Sequence, residues 1–262
     1  MDDKLKSFLL GTFIFLLAIS ILVSVFFIND LFFSSNCFVS ITFDDGYYSQ
    51  YDSMIWLNQR GIESSIYVPS NLTGEIFEGY YPIISWNEIL ELDRLDNEVG
   101  THGLNHINYD NVSYGEARFD LTESINDFNN KGIEVDSFAP PYGGGEKYYS
   151  NLSESVKIIR SLGWDYISNS SLPYDYETLP VTESNYDAFI DSQHFNNLGE
   201  ENSGDLRGLI LVFHRVIKDT DDENYPFRDN VDISFLKFKE IINMVEDKGC
   251  EFVKVEEIPG LY

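Results

Sequence analysis

The sequence predicts an α/β fold in which parallel strands and outer helices form a barrel. Apolar runs of strand length alternate with helical patterns from Cys37 to the end of the chain, and repeated β-then-α order implies a parallel sheet covered by helices. No linker, internal repeat or low-complexity tract interrupts this alternation. The pattern therefore predicts one domain, and about seven strands suffice for a closed or nearly closed barrel.

The predicted elements follow one another in a regular order. Strands are expected at Cys37–Phe43, Ile62–Val68, Glu98–Thr101, Ser137–Pro140, Trp164–Asn169, Gly208–His214 and Glu251–Val255. Helices are expected near Tyr48–Gln59, Trp86–Leu95, Tyr114–Asn130, Tyr148–Leu162 and Ile233–Lys248. A glycine follows four of these helical runs, at Gly61, Gly132, Gly163 and Gly249, where a left-handed C-cap favours a residue without Cβ.

An uncharged apolar segment, Phe8–Ile28, precedes the domain. As a helix rising ~1.5 Å per residue it would span roughly 30 Å, the hydrocarbon thickness of a bilayer. Lys4 and Lys6 precede it and the next Lys or Arg is Arg60. The positive-inside rule therefore predicts a single-pass protein of the cell membrane with a cytoplasmic N-terminus and an extracytoplasmic domain. The predicted division is a stub and transmembrane signal anchor at 1–28, a linker at 29–36 and the folded domain at 37–262. A cleaved signal peptide is the alternative, although this apolar run exceeds a typical h-region.

The chain is strongly acidic. Its 262 residues include 44 Asp and Glu against 17 Lys and Arg, for a net charge of −27. Because such a field repels a polyphosphate backbone, nucleic acid is not an expected partner.

The two cysteines, Cys37 and Cys250, just precede the first and last predicted strands. Those strands are neighbours if the barrel closes, so we expect a disulfide in an oxidising compartment; two small apolar core residues are the alternative.

Reactive side chains cluster where the predicted strands end, which is the face that carries the chemistry in such barrels. Asp44 and Asp45 follow the first strand, His102 ends the third with His106 four residues on, and His214 ends the sixth. Three of the four histidines in the chain lie at these ends; His194 has no motif around it and is interpreted as structural or incidental. The clustering favours a catalytic or metal site at this rim.

The spacing of these residues suits a metal centre. Adjacent carboxylates on a strand point in opposite directions, so one can face a metal while the other faces the reacting water; a simple Asp-Asp-Gly turn is the alternative. His102 and His106, at i and i+4, share one face of a helical turn and can meet one cation. One carboxylate and two imidazoles make an open site for a divalent metal such as zinc, and the second carboxylate becomes a general base. His214, otherwise a core histidine, is the group best suited to protonate a departing amine.

Four ordered motifs resemble the polysaccharide deacetylases, the NodB-homology domains of carbohydrate esterase family 4. The resemblance spans roughly Phe38 to Ile258. Its motifs are the runs Thr42-Phe43-Asp44-Asp45-Gly46, Thr101-His102-Gly103-Leu104-Asn105-His106, Phe138-Ala139-Pro140-Pro141-Tyr142-Gly143 and Leu211-Val212-Phe213-His214.

The resemblance implies a fold and a role for each residue. The fold would be a distorted (β/α) barrel, with Asp44 as the base and His214 as the acid. The metal ligands would be Asp45, His102 and His106. Pro141 and Tyr142 would bind substrate, with the backbone N–H of Tyr142 contributing to an oxyanion site, where a preorganised donor stabilises developing charge.

Two positions depart from the family pattern. Many members carry an arginine that pairs with the catalytic aspartate where this chain has Ala139; without that cation, Asp44 is expected to be a stronger but less firmly oriented base. Ala at this position is similar to the subgroup acting on exopolysaccharides resembling poly-N-acetylglucosamine. The Asp-Trp motif that supplies a partner for the acidic histidine is not found, since Trp164-Asp165 opens a predicted strand at the opposite end.

The predicted function is metal-dependent hydrolysis of N-acetyl groups from an extracytoplasmic polysaccharide, releasing acetate. Two alternatives stay open: an amidohydrolase on a small amide, and a membrane-tethered carbohydrate-binding module with little turnover. Sugar recognition is expected in the long connections Asn71–Ser85 and Ser170–Asp187. Four tyrosines there are candidates for stacking on sugar rings, and a surface or packing role is the alternative for each: Tyr80, Tyr81, Tyr174 and Tyr176.

Overall fold

The computed structural model describes Phe15 and residues 37–77, 79–161, 176–198, 208–218 and 226–260. Contacts group Asn36–Tyr262 as one compact unit, and every feature below belongs to it. The predicted membrane span Phe8–Ile28, apart from Phe15, and the predicted strand Trp164–Asn169 lie outside the described residues. Within the described part of the chain, no helix has the length and hydropathy needed to cross a bilayer.

A curled, parallel half-barrel forms the centre of the domain. Its strands are β1 (Phe38–Phe43), β2 (Ser65–Val68), β5 (Glu98–Thr101), β6 (Ser137–Phe138), β7 (Ile158–Ile159), β8 (Tyr176–Pro180) and β9 (Gly208–Phe213), with β12 (Glu251–Phe252) added beside β1. The strand order is β7-β6-β5-β2-β1-β9-β8. Among the described residues β7 and β8 are the two edges, so the α/β class is confirmed, and the predicted closed or nearly closed barrel is present there as a half-barrel.

Seven α-helices and two small sheets accompany the main sheet in the described part of the domain. The helices are α1 (Tyr48–Asn58), α2 (Trp86–Arg94), α3 (Tyr114–Lys131), α4 (Tyr149–Leu152), α5 (Tyr186–Ile190), α6 (Gln193–Asn197) and α7 (Phe235–Asp247). The small sheets are an antiparallel pair, β3 (Ile76–Phe77) with β4 (Tyr81–Pro82), and a parallel pair, β10 (Val216–Ile217) with β11 (Ile233–Ser234). The left-handed glycines predicted after helices are confirmed at Gly61, Gly132 and Gly249.

The predicted helix Tyr148–Leu162 is wrong over most of its length. Helix α4 ends at Leu152, and the chain then forms β7, which pairs with β6 through Ser137↔Ile158 and Phe138↔Ile159. Ile158 and Ile159 are both buried, and two adjacent β-branched residues fit a strand covered on both faces better than a helix with one apolar stripe.

The main core lies between the sheet and the helices α1, α2 and α7. On β1 the odd-numbered residues Val39, Ile41 and Phe43 belong to this core. Because successive side chains on a strand alternate, Ser40 and Thr42 face the concave interior of the half-barrel instead. Asp44, one residue beyond the strand, continues on that interior face and is 4% exposed.

A disulfide joins Cys37 to Cys250, with their Cα atoms 4.8 Å apart. The predicted bridge is therefore confirmed, and so is the expectation that the first and last strands are neighbours. Strand β12 runs parallel to the first half of β1 through Phe38↔Glu251, whereas β2 pairs with the second half. The two cysteines directly precede this short pairing, which brings them together within the ordinary span of a disulfide.

Candidate active site

Asp45, His102 and His106 converge at the C-terminal ends of β1 and β5. The Oδ1 atom of Asp45 lies 3.2 Å from Nε2 of His102 and 2.9 Å from Nε2 of His106. All three ligand atoms lie within 4.8 Å of one another. The structure thus brings together the three predicted metal ligands around one point.

The loops that carry these ligands contain unusual backbone conformations. Asp45 (φ 72°), His106 (φ 55°) and Tyr142 (φ 60°) are three of the four described non-glycine residues with positive φ. Non-glycine residues held in the left-handed region cluster at functional sites because the surrounding structure must hold them there. The predicted helical turn from His102 to His106 is wrong, since this segment is an irregular loop. The loop reverses at Gly103 (φ 78°), and this turn brings the two imidazoles together.

Asp120, on α3, holds the loop that presents His106. Its carboxylate accepts hydrogen bonds from the backbone N–H of Leu104 at 2.8 Å, the backbone N–H of Asn105 at 3.2 Å and the hydroxyl of Tyr109 at 3.0 Å. A Cβ at Gly103 would lie 2.5 Å from Oδ2 of Asp120, so glycine is needed both for the turn and for this approach. Sequence reasoning missed Asp120, whose contacts depend on how α3 packs.

The hydrogen bonding of His102 leaves its Nε2 available to a cation. Its Nδ1 lies 2.6 Å from the carbonyl oxygen of Ala139, and because a carbonyl only accepts, Nδ1 carries the proton. Such a partner on the far nitrogen is typical of metal-binding histidines. Burial raises the pKa of Asp45, but its contacts with the His102 and His106 imidazoles outweigh it, and the pKa lies well below its ordinary value. An ionised carboxylate with two imidazole nitrogens fits a divalent ion such as Zn²⁺.

Asp44 forms a buried ion pair with Arg160. Nη2 of Arg160 donates to Oδ1 of Asp44, and both side chains are nearly inaccessible to solvent. The guanidinium also lies 5.0 Å from the ring centroid of Tyr67. Burial lowers the pKa of Arg160, but the attraction of Asp44 outweighs it and raises the pKa overall, so the arginine stays charged.

The expectation that Asp44 has no cation beside it is therefore wrong. The β6–β7 register pairs Phe138 with Ile159, and the N–H of Arg160 donates to the carbonyl of Phe138 at 2.9 Å. Arg160 thus follows β7 directly beside Ala139, and its guanidinium reaches Asp44 from the neighbouring strand. The signal was the pair Ile158-Ile159, which indicates a strand end at Arg160 once the segment is interpreted as β rather than α.

His214 lies at the end of β9 and lines the same cleft as the metal ligands. Its buried Nδ1 atom has no hydrogen-bond partner among the described residues. The structure therefore assigns no acidic partner to His214 within the described ranges, and Trp164-Asp165 lies outside them. The predicted acid is brought to the site.

The cleft has a volume of about 240 Å³ and an aromatic wall. The ring centroids of Tyr142 and His106 lie 4.8 Å apart. The Phe77 ring of β3 packs edge-to-face against the His106 ring, with the two centroids 5.5 Å apart. Tyr142 is 65% exposed, whereas the preceding Pro141, also predicted to bind substrate, is buried and does not line the cleft. The residues lining the cleft are Asp44, Asp45, Tyr47, Phe77, His102, His106, Pro140, Tyr142, Gly143, His214, Arg228 and Val231.

A second cleft of about 360 Å³ shares one lining residue, Tyr47, with the first. Its other lining residues are Tyr48, Ser49, Asp52, Tyr81, Pro82, Arg215, Val216, Ile217 and Lys218. The expected stacking of Tyr81 on a sugar is not supported, because Tyr81 is 5% exposed and the Arg215 guanidinium covers its ring at 3.8 Å.

The remaining sugar-stacking candidates have different outcomes. Tyr80 is 60% exposed at the turn between β3 and β4, so its predicted role stays a prediction. Tyr174 lies outside the described residues, and for Tyr176 and His194 only the backbone is described, in β8 and α6.

The fold and the site together define an α/β half-barrel protein with an Asp-His-His centre at the C-terminal strand ends. The chain belongs to the polysaccharide deacetylase family, whose sequence profile matches residues 35–167. No curated protein sequence matches the chain. Membership confirms the resemblance carried by the four motifs.

Solved structures share the fold at low sequence identity. The carbohydrate esterase family 4 domain of a multidomain xylanase from the hindgut metagenome of Trinervitermes trinervoides is 17% identical, with 85% of this chain and 89% of that chain covered and a TM-score of 0.52. A family 4 acetyl xylan esterase from Clostridium thermocellum, solved with a cobalt ion, is 16% identical, with 86% and 91% covered and a TM-score of 0.51. A family 4 pseudoenzyme from Bacillus anthracis is 14% identical, with 86% and 66% covered and a TM-score of 0.50.

Proposed function

We propose that this protein is a metal-dependent N-deacetylase that releases acetate from an extracytoplasmic, N-acetylated polysaccharide. The observation that carries the proposal is the convergence of Asp45, His102 and His106 in a cleft that Asp44 and His214 also line. Family membership supports hydrolysis of acetyl groups. These residues supply a set of metal ligands, a base and an acid within one site.

Each residue has a distinct part in the proposed reaction. Asp45, His102 and His106 hold the divalent ion, most simply Zn²⁺, which when bound supplies Lewis-acid chemistry by polarising the acetyl carbonyl and acidifying water. Arg160 binds Oδ1 of Asp44, so Oδ2 is the oxygen that takes the proton of the attacking water. His214, at the end of β9, donates a proton to the departing amine.

The walls of the cleft are suited to a sugar. Pro140 and Tyr142 line the cleft with Asp45, His102 and His106, and the exposed Tyr142 ring gives a face on which a pyranose can pack. The backbone N–H of Tyr142 is the proposed oxyanion donor. The second cleft would take a neighbouring sugar of the polymer. The presence of two clefts favours a polysaccharide substrate over a small amide. The cobalt-bound acetyl xylan esterase is consistent with metal-assisted removal of acetyl groups on this fold.

The proposed location is the outer face of the cell membrane, with Phe8–Ile28 as an uncleaved signal anchor. The disulfide between Cys37 and Cys250 supports an oxidising compartment. Proteolysis of intact cells tests this directly: loss of the domain without lysis is expected, and protection until lysis would contradict it.

Acetate release by the full-length, zinc-loaded protein in detergent tests the activity. N-acetylglucosamine oligomers, acetylated xylan and small N-acetyl amides serve as substrates, beside an Asp44→Asn variant that keeps the shape of the side chain. We expect acetate from the N-acetylated oligomers and a loss of about 10²- to 10⁴-fold in Asp44→Asn, the range for a general base.

Other outcomes point elsewhere. Turnover of small amides alone would indicate an amidohydrolase. Binding of zinc and oligomers without acetate would indicate a carbohydrate-binding module, an alternative favoured by the unpartnered Nδ1 of His214 within the described chain and by the pseudoenzyme among the structural neighbours.

A further inference from the structure

Gln50, in the first turn of α1, connects the two strands that carry Asp44 and His214. Its side chain is fully buried. Nε2 donates one hydrogen bond to the backbone carbonyl of Asp44 and another, of 2.6 Å, to the backbone carbonyl of His214. Since both partners are carbonyl oxygens, only the amide nitrogen of Gln50 can face them.

This contact lies where the pairing of β1 with β9 stops. The two strands are in register from Phe38↔Gly208 to Phe43↔Phe213, and a last backbone bond runs from Asp44 N–H to the carbonyl of Phe213 at 3.0 Å. Asp45 then turns into the left-handed region and leaves the line of the strand. The Gln50 amide continues the connection by one residue, because it binds the carbonyl of Asp44 after β1 and the carbonyl of His214 after β9.

We propose that Gln50 is a positioning residue that fixes the separation between the base Asp44 and the acid His214. This inference rests on the proposed function, in which the two residues act on opposite sides of the same amide bond. Among the described residues the side chain of Gln50 hydrogen-bonds only to these two backbone carbonyls, so it acts through the backbone at the two strand ends. A displacement of about 1 Å between catalytic groups can lower a rate about 100-fold, so holding both strand ends with one side chain matters for turnover.

The chemistry of the side chain explains why glutamine is required. A carboxamide offers two N–H donors on one nitrogen, which matches two carbonyls on adjacent strands. A glutamate of the same length would bring a carboxylate, which only accepts, against two acceptors. A leucine would fill the space with no donor at all. Oε1 of Gln50 is buried without a partner among the described residues, so the nitrogen side of the amide makes all of its described hydrogen bonds.

The test compares Gln50→Leu and Gln50→Glu with Ser53→Ala in the full-length, zinc-loaded protein. Ser53 is buried on the same helix, and its hydroxyl donates to the Ser49 carbonyl at 3.2 Å as its one hydrogen bond to a described residue, so Ser53→Ala reports the effect of losing a buried hydrogen bond away from the site. For Gln50→Leu we expect kcat for acetate release to fall about 10- to 100-fold, with KM and zinc affinity close to wild type. Ser53→Ala is expected to keep the wild-type kcat.

Unchanged kcat in Gln50→Leu would overturn the inference, and so would a parallel loss of zinc affinity and thermal stability that Ser53→Ala reproduces. If Gln50→Leu and Gln50→Glu fail to fold, Gln50→Asn, which is shorter but keeps both donors, replaces them with the same expected kcat loss. The ring ¹⁵N resonances of His214 give a readout that does not need turnover. They should shift or broaden in Gln50→Leu but not in Ser53→Ala, and no change would also overturn the inference. Wild-type protein without acetate release would refute the proposed function alone.

Discussion

The proposed metal ligands and the proposed acid–base pair line one cleft but are held in place by different means. Asp45 and His106 lie on loops with left-handed backbone, and Asp120 on α3 secures the loop of His106 through backbone N–H groups. Asp44 and His214 directly continue buried strands and are held by side chains from elsewhere. The positions of the ligands Asp45, His102 and His106, which we call the ligand half, therefore depend mainly on loop geometry. The positions of Asp44 and His214, the acid–base half, depend on packing between distant parts of the chain.

That difference predicts separable effects of mutation. Changes around the loops should act first on metal affinity, and changes around the strand ends should act on turnover with the metal still bound. The predictions below run from the largest expected effect to the smallest.

Loss of a metal ligand should have the largest effect. For Asp45→Asn and His102→Ala we expect zinc affinity to fall by more than the roughly 10- to 100-fold typical of an outer partner, and acetate release to be abolished. Titration calorimetry with Zn²⁺ measures the affinity. The exposed Asp187→Asn, which also removes one carboxylate, serves as the control. Wild-type affinity in Asp45→Asn would refute the assignment of the site.

Arg160→Ala should mainly affect turnover and stability. Removing one partner of a buried ion pair leaves the other charge uncompensated, which lowers the free energy of unfolding by about 3–5 kcal/mol. We also expect kcat to fall about 100-fold, the lower range for a misplaced general base, with zinc affinity retained. Urea unfolding and acetate release provide the two measurements.

A register swap makes the Arg160 prediction sharper. The double variant Arg160→Ala with Ala139→Arg moves the guanidinium to the adjacent residue of the neighbouring strand, and partial recovery of kcat is expected. Arg160→Lys, which keeps the charge but not the planar fork, should lie between wild type and alanine. Full activity in Arg160→Ala would contradict the account.

Asp120→Asn should lower zinc affinity about 10-fold, as expected for an outer partner that orients a ligand. The asparagine keeps one accepting oxygen, so the loop from Leu104 to His106 is loosened rather than lost. At saturating zinc we expect kcat close to wild type, which separates this variant from Arg160→Ala. A kcat defect that zinc does not restore would contradict the division between the two halves.

The disulfide should have the smallest effect on the site. Cys37→Ser with Cys250→Ser removes a bridge at the start of β1, at the opposite end of that strand from Asp44. We expect the free energy of unfolding to fall by about 2–5 kcal/mol, while zinc affinity and kcat of the folded protein stay unchanged. Lower zinc affinity or lower kcat at temperatures well below unfolding would contradict this expectation, because it would show that the first residues of β1 influence the cleft.

The residues that could be predicted from sequence are those whose role follows from local spacing. Asp45, His102 and His106 each follow a predicted strand, and parallel strands place such residues at one rim. The disulfide followed in the same way from two cysteines before paired strands. The four motifs indicated the family, which the sequence profile confirms.

The residues that could not be predicted act through contacts between distant segments. Arg160 lies 116 residues from Asp44, and it was assigned to a helix because Ile158-Ile159 is too short a run to indicate a strand alone. Gln50 appears in the sequence as an ordinary polar residue of α1. The left-handed conformation of His106 could not be predicted either, because such conformations persist only where the surrounding structure holds them.

The metal centre is the central claim, and anomalous diffraction from zinc-loaded crystals of the full-length protein tests it most directly. The account predicts one ion bound by Nε2 of His102 and of His106 at about 2.0–2.1 Å and by a carboxylate oxygen of Asp45 at about 2.0–2.2 Å. An anomalous peak elsewhere on the chain, with these three side chains bonded only to one another, would contradict it.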